Sequence, residues 1–153
     1  MVAYETNGRR LDGHPSDMGA PSRCGSIRAV PDETTPGADF ARAFCEKDAA
    51  RVRELVHPEI DFRGLTPSRA WEAADPEALI ALLFSDWLPD KDRVDGIEAI
   101  ESDTVVDRER VGYRFSVTNP DGRFLVEQQA YLSTRDGRID WMRVVCSGFR
   151  PAD

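Results

Sequence analysis

The chain has 153 residues, enough for one ordinary domain and too few for two comfortable ones. Its 20 basic residues against 28 acidic ones leave a formal charge of −8, which argues against a nucleic-acid footprint and against binding an anionic membrane. With 41% hydrophobic and 31% charged residues the composition is globular, and the longest apolar stretch, Ala78 to Phe84, is far short of the roughly 20 residues that cross a bilayer.

Residues 1–35 are rich in Gly, Pro, Ser and Asp without apolar periodicity, and are expected to form a flexible tail. Arg9-Arg10 is followed by no apolar core, so no export signal is expected and a reducing cytoplasm is the default compartment. Cys24, Cys45 and Cys146 have no CxxC spacing and only His14 and His57 for company. Neither a metal site nor a disulfide framework nor a cofactor is expected from them.

Thr35-Pro36 is a strong helix start, Thr capping and Pro in the first turn, and Phe40 and Phe44 then share one face. Lys47-Asp48 breaks this helix; Val52, Leu55 and Val56 give a second short one, stopped by His57-Pro58. Glu59 to Arg63 alternates as a strand does. Thr66-Pro67 predicts a short helix through Trp71, and Pro76 opens a longer one with Leu79, Ile80, Leu83, Phe84 and Trp87 at helical spacing.

From Arg93 the period changes to two. Strands are predicted over 93–106, 110–117, 123–133 and 138–147, joined by turns at 107–109, Asn119-Pro120-Asp121-Gly122 and Asp136-Gly137. Helices followed by an antiparallel meander make the fold class α+β, with one domain over 36–151.

This order resembles the nuclear transport factor two-like superfamily, in its SnoaL-like (polyketide cyclase and ketosteroid isomerase-like) branch. The resemblance rests on the helix ending in Glu46-Lys47-Asp48, the passage from Val52 to Phe62 and the hairpin Asp136-Gly137-Arg138-Ile139. It implies helices packed on a strongly curved antiparallel sheet around a cone-shaped pocket (a cystatin-like roll), often in a homodimer. The ketosteroid isomerase machinery does not carry over. Its helix tyrosine falls on Phe40, its base aspartate on Phe62 (with Asp61 one residue early) and its second aspartate on Gln129.

Glu127, Gln129 and Tyr131 alternate, so they share one face of their strand. By the resemblance that face is the concave one, with Met142, Val144 and Cys146 pointing the same way from the last strand. Phe40, Phe62 and Trp71 complete the expected pocket, and Trp71 and Trp87 are each read as pocket mouth or as core. If Asn119 pairs with Gly122, Arg114 faces the pocket opposite Glu127 as a buried ion pair; a bulge there brings in Tyr113 and Phe115 instead. The apolar set Tyr113, Phe115, Val117, Phe124 and Val126 is divided between the core and a homodimer surface. Three functions fit: a protein binding a small hydrophobic molecule; a cofactor-independent isomerase, cyclase or hydrolyase acting on a polyketide- or steroid-like substrate; a dimerising domain without ligand.

Overall fold

The computed structural model describes residues 34–153, so the expected tail lies outside the described residues except for Thr34 and Thr35. Helices α1 (Pro36–Cys45) and α2 (Ala49–Leu55) lead into strands β1 (Val56–Thr66) and β2 (Arg69–Ala73). Helix α3 (Pro76–Ala81) runs on as a π-helical turn over Leu82–Trp87. Strands β3 (Arg93–Val105), β4 (Arg108–Asn119), β5 (Gly122–Arg135), β6 (Arg138–Cys146) and the two-residue β7 (Arg150–Pro151) follow.

The strands form one strongly curved, unclosed sheet in the order β2-β1-β6-β5-β4-β3, with β7 on β5. The fold is α+β as expected, but the sheet is mixed: β1 lies parallel to β6, while the other pairs are antiparallel. No helix among the described residues is long and apolar enough to cross a membrane.

The Thr35 cap forms as predicted, its hydroxyl oxygen accepting from the Ala38 N–H at 3.1 Å. The sheet strengthens it. Glu109 of β4 accepts from the Gly37 N–H at 3.0 and 3.1 Å and from the Thr35 hydroxyl at 2.9 Å. A carboxylate there meets the positive end of the helix dipole. Gly37 allows the approach, since a Cβ would collide with the Glu109 carboxylate.

The helix expected over 66–71 is instead a hairpin. Thr66 pairs with Arg69, and Pro67-Ser68 makes the turn between β1 and β2. Pro67 presets φ equally well for the second position of a tight turn, and two flanking strands outcompete a helix only one turn long.

Two registers decide which side chains face inward. In the β4–β5 hairpin Asn119 pairs with Gly122 and the ladder runs unbroken to Glu109 opposite Leu132, so Arg114 does stand opposite Glu127. In the β5–β6 hairpin Thr134 pairs with Ile139 but Ser133 pairs with Trp141, leaving Asp140 as a bulge. A plain count from the Asp136-Gly137 turn would set Tyr131 opposite Met142. The extra residue sets Leu132 there instead, Ala130 opposite Val144 and Gln128 opposite Cys146.

The core therefore takes Val126, Gln128, Ala130 and Leu132 from β5, with Met142 and Val144 from β6. Phe40, Phe44 and Phe62 join them, as do Tyr113, Phe115 and Val117 of β4. Of the apolar set divided between core and dimer surface, only Phe124 stays half-buried, packed on Phe149 at 5.7 Å between ring centroids.

Candidate functional site

A cavity of about 200 Å³ opens between the sheet's inner face, α1, the π-helical turn and the segment after β6. Each wall has a local cause. Asp75 caps α3 by accepting from the Ala78 N–H at 2.8 Å, and Pro76 occupies its first turn. The helix then widens, with the Leu88 N–H reaching back to the Leu83 carbonyl at 2.8 Å, five residues earlier. That wider turn delivers Trp87 onto Phe62 (5.8 Å between centroids) and Phe44 (6.4 Å).

Gly64 of β1 lies directly beneath the Trp87 ring, where a Cβ would sit only 2.6 Å from two ring carbons. Phe44 also meets Phe115 edge-on at 5.8 Å. The opposite wall is Trp71, held by an indole N–H donated to the Thr66 hydroxyl at 3.0 Å, together with Phe149 and Cys146. The Cys146 sulfur accepts from the Gly148 N–H at 3.4 Å.

One neutral polar side chain of the sheet, Gln128, lines the cavity, and Tyr113 backs it from the core. Tyr113 and Gln128 are register partners, both 2% exposed, and the Tyr113 hydroxyl donates to the Gln128 amide oxygen at 2.6 Å. Burial pushes the Tyr113 phenol well above its usual range, with the nearby thiols Cys45 and Cys146 adding to the shift. Burial also raises the Cys45 thiol to about 12, reinforced by Glu46. Both groups stay protonated at neutral pH. The only carboxylate in the lining is Asp86, exposed at the rim, and no Lys, Arg or His contributes.

The structure separates the residues expected to form the pocket. Trp71 and Cys146 line the cavity. Phe40, Phe62, Met142 and Val144 face inward but are packed into the core around it. Arg114, Glu127, Gln129 and Tyr131 lie on the outer face, all of them exposed. Their inward placement is corrected, and the Asp140 bulge is the reason: it reverses β5 relative to β6.

Arg114 and Glu127 do pair, at 3.0 Å, but with about half of each side chain in solvent. Asp61 is likewise on the surface, where a hydrogen bond from Arg143 at 3.0 Å holds its carboxyl below the usual range. Sequence reasoning missed Gln128, Phe44 and Phe149. The signal for Gln128 was present: Val126, Ala130 and Leu132 alternate with it as the more apolar half of β5.

The outer face has a larger hollow of about 650 Å³, bordered by Arg63, Leu65, Arg69, Arg143 and Val145. Two of its cations are already engaged, as Asp61 bridges Arg143 at 3.0 Å and Arg63 at 3.9 Å. The inner cavity combines apolar walls with convergent buried polar groups, the usual character of a ligand site. Among the described residues no group of three or more His, Cys, Asp or Glu is placed to hold a metal ion.

No protein-family model matches the chain, and no curated protein matches it by sequence. Solved structures do match its shape. A candidate isomerase from Bacillus subtilis superposes with a TM-score of 0.60 at 16% identity, over 73% of this chain and 86% of that one. A candidate SnoaL-like polyketide cyclase from Mesorhizobium loti gives 0.55 at 18% identity, over 71% and 94%. An NTF2-like protein of unknown function, also from Mesorhizobium loti, gives 0.52 at 23% identity, over 77% and 97%. These likenesses identify the fold as the nuclear transport factor two-like one.

Proposed function

We propose that this nuclear transport factor two-like fold serves as a binding protein for a small, mainly apolar molecule held in the inner cavity. The observation that carries the reading is the lining itself: aromatic walls around the neutral Gln128, whose amide oxygen is taken up from the core side by Tyr113. Proton abstraction or protonation of a substrate calls for a group that titrates near neutral pH within reach of the reacting atom. Behind the lining lie a phenol, Tyr113, and a thiol, Cys45, whose pKa values are raised away from that range, and the one carboxylate of the lining lies outside at the rim. That weighs towards binding over isomerase, cyclase or hydrolyase chemistry.

Native mass spectrometry of the purified chain tests the reading. A co-purifying small molecule, lost on Gly64→Leu because the added side chain drives Trp87 into the cavity, is the expected result. Persistent absence of any bound species, together with no thermal shift across a panel of small apolar molecules, would refute it.

A further inference from the structure

Among the described residues, two buried side-chain polar atoms lack any hydrogen-bond partner: Arg108 Nη1 and Trp87 Nε1. The Arg108 guanidinium lies over the Trp141 ring at 3.6 Å, on the outer face and remote from the cavity. Trp87 is different. It is 8% exposed, it borders the cavity, and it is placed there by the π-helical turn. Turns of that kind are rare and frequently mark functional sites. An indole N–H only donates, and a buried donor left unpaired bears its full desolvation penalty. The other indole of this cavity, that of Trp71, has its acceptor in Thr66.

The remaining polar atoms along the wall point to the same complement. With its amide oxygen engaged by Tyr113, Gln128 has N–H groups left to donate. The Cys146 sulfur already accepts from Gly148, leaving its S–H as a weak donor. The Thr66 hydroxyl, also in the lining, already accepts from Trp71 and donates to the Arg69 carbonyl, so the side-chain groups left over inside the rim are mainly donors, with no fixed cation for an anion to pair with. Size narrows the choice further. A dry apolar cavity of roughly 150 Å³ accommodates benzene, and drug-sized ligands take upwards of ~300 Å³. At about 200 Å³ the space takes in one ring or its aliphatic equivalent, and a fused polycyclic skeleton would have to project past the rim.

We propose that the cavity is selective for a compact, neutral, single-ring molecule bearing one strong hydrogen-bond acceptor, such as a cyclic ketone, and that Trp87 Nε1–H is the donor that recognises it. This rests on the cavity being a ligand site, and it sets the ligand class away from steroid-like and polyketide-like molecules.

The test uses two probes of one shape, cyclohexanone and methylenecyclohexane, which differ in having or lacking the acceptor oxygen. Both are titrated into the ¹⁵N-labelled full chain while the Trp87 indole N–H resonance is followed. The expected result is a roughly tenfold preference for the ketone, the size of one added hydrogen bond to a buried donor, with a downfield shift of the Trp87 indole proton. Trp87→Phe should bind the two probes equally. Equal affinities in the unsubstituted chain, or a ketone that binds without moving that resonance, would overturn the proposal without needing the variant to fold. Tighter binding of tetramethylammonium than of the ketone would also overturn it, by showing that the aromatic walls select a cation. If no probe binds at all, the reading of the cavity as a ligand site fails, and this inference with it.

Discussion

Tyr113 donates a 2.6 Å hydrogen bond to Gln128 from the position directly opposite it on the neighbouring strand, and both side chains are buried. Each is the other's answer to desolvation, so removing one leaves a polar atom stranded among apolar groups. Tyr113→Phe and Gln128→Leu are each expected to lower the unfolding free energy by about 1–3 kcal/mol. Combining them should cost less than the sum, because neither atom is then left without its partner. Urea unfolding of the four forms measures the coupling; strict additivity would show that the bond carries no energy.

The Arg114–Glu127 pair makes the opposite prediction. A buried pair in this position would lose about 3–5 kcal/mol on removal of the arginine. With half of each side chain in water, Arg114→Ala should lower stability by under ~1 kcal/mol, and added salt should shrink the difference further. Thermal melts at low and high salt decide it.

Alkali should find the core through Cys45. The folded chain raises this thiol from 9.0 to about 12, so the unfolded chain releases the proton first. The stabilisation is complete below pH 9.0 and declines as pH rises towards about 12. Tyr113, also raised, adds a decline that begins nearer its ordinary value of 10.0. Urea midpoints across this range should fall steadily in the native chain. Cys45→Ala should postpone the onset to the tyrosine's part of the range, and an unchanged onset would contradict the assignment.

Self-association is expected through the outer face, where Leu65 and Val145 are paired neighbours on β1 and β6, both more than half exposed, with Tyr131 on the same face of β5. Sedimentation at micromolar concentration should give twice the 17.1 kDa chain mass. Val145→Asp, which places a charge in that patch, should return the monomer. A native chain that sediments as a monomer would rule the interface out.

Much of the architecture is local and therefore legible. The Thr35-Pro36 cap, the Pro76 helix and the turns at 119–122 and 136–137 each depend on a few adjacent residues, and each stands where the sequence places it. Even the Arg114–Glu127 opposition follows from counting outward from one turn. The candidate site is not local in this sense. Its wall depends on which half of β5 looks inward, and no turn residue announces the unpaired Asp140. The trace it leaves is Ile139 and Met142, buried alike although three apart, a spacing that regular alternation forbids. Thr66-Pro67 was ambiguous for a different reason: the same restriction on φ serves a helix start and a turn, and only the partner strand distinguishes them.

The grip of Glu109 on the start of α1 has a mechanical consequence. Ten helical residues form a rigid rod of about 15 Å. Its anchored end is clamped to β4 through Thr35 and Gly37, and its far end bears Phe44 against the cavity. The helix is thus a lever whose fulcrum touches nothing in the binding site. Glu109→Gln keeps the shape of the side chain but weakens the clamp, so a small tilt at the fulcrum should reappear, magnified along the rod, as a change in how closely Phe44 closes on whatever the cavity holds.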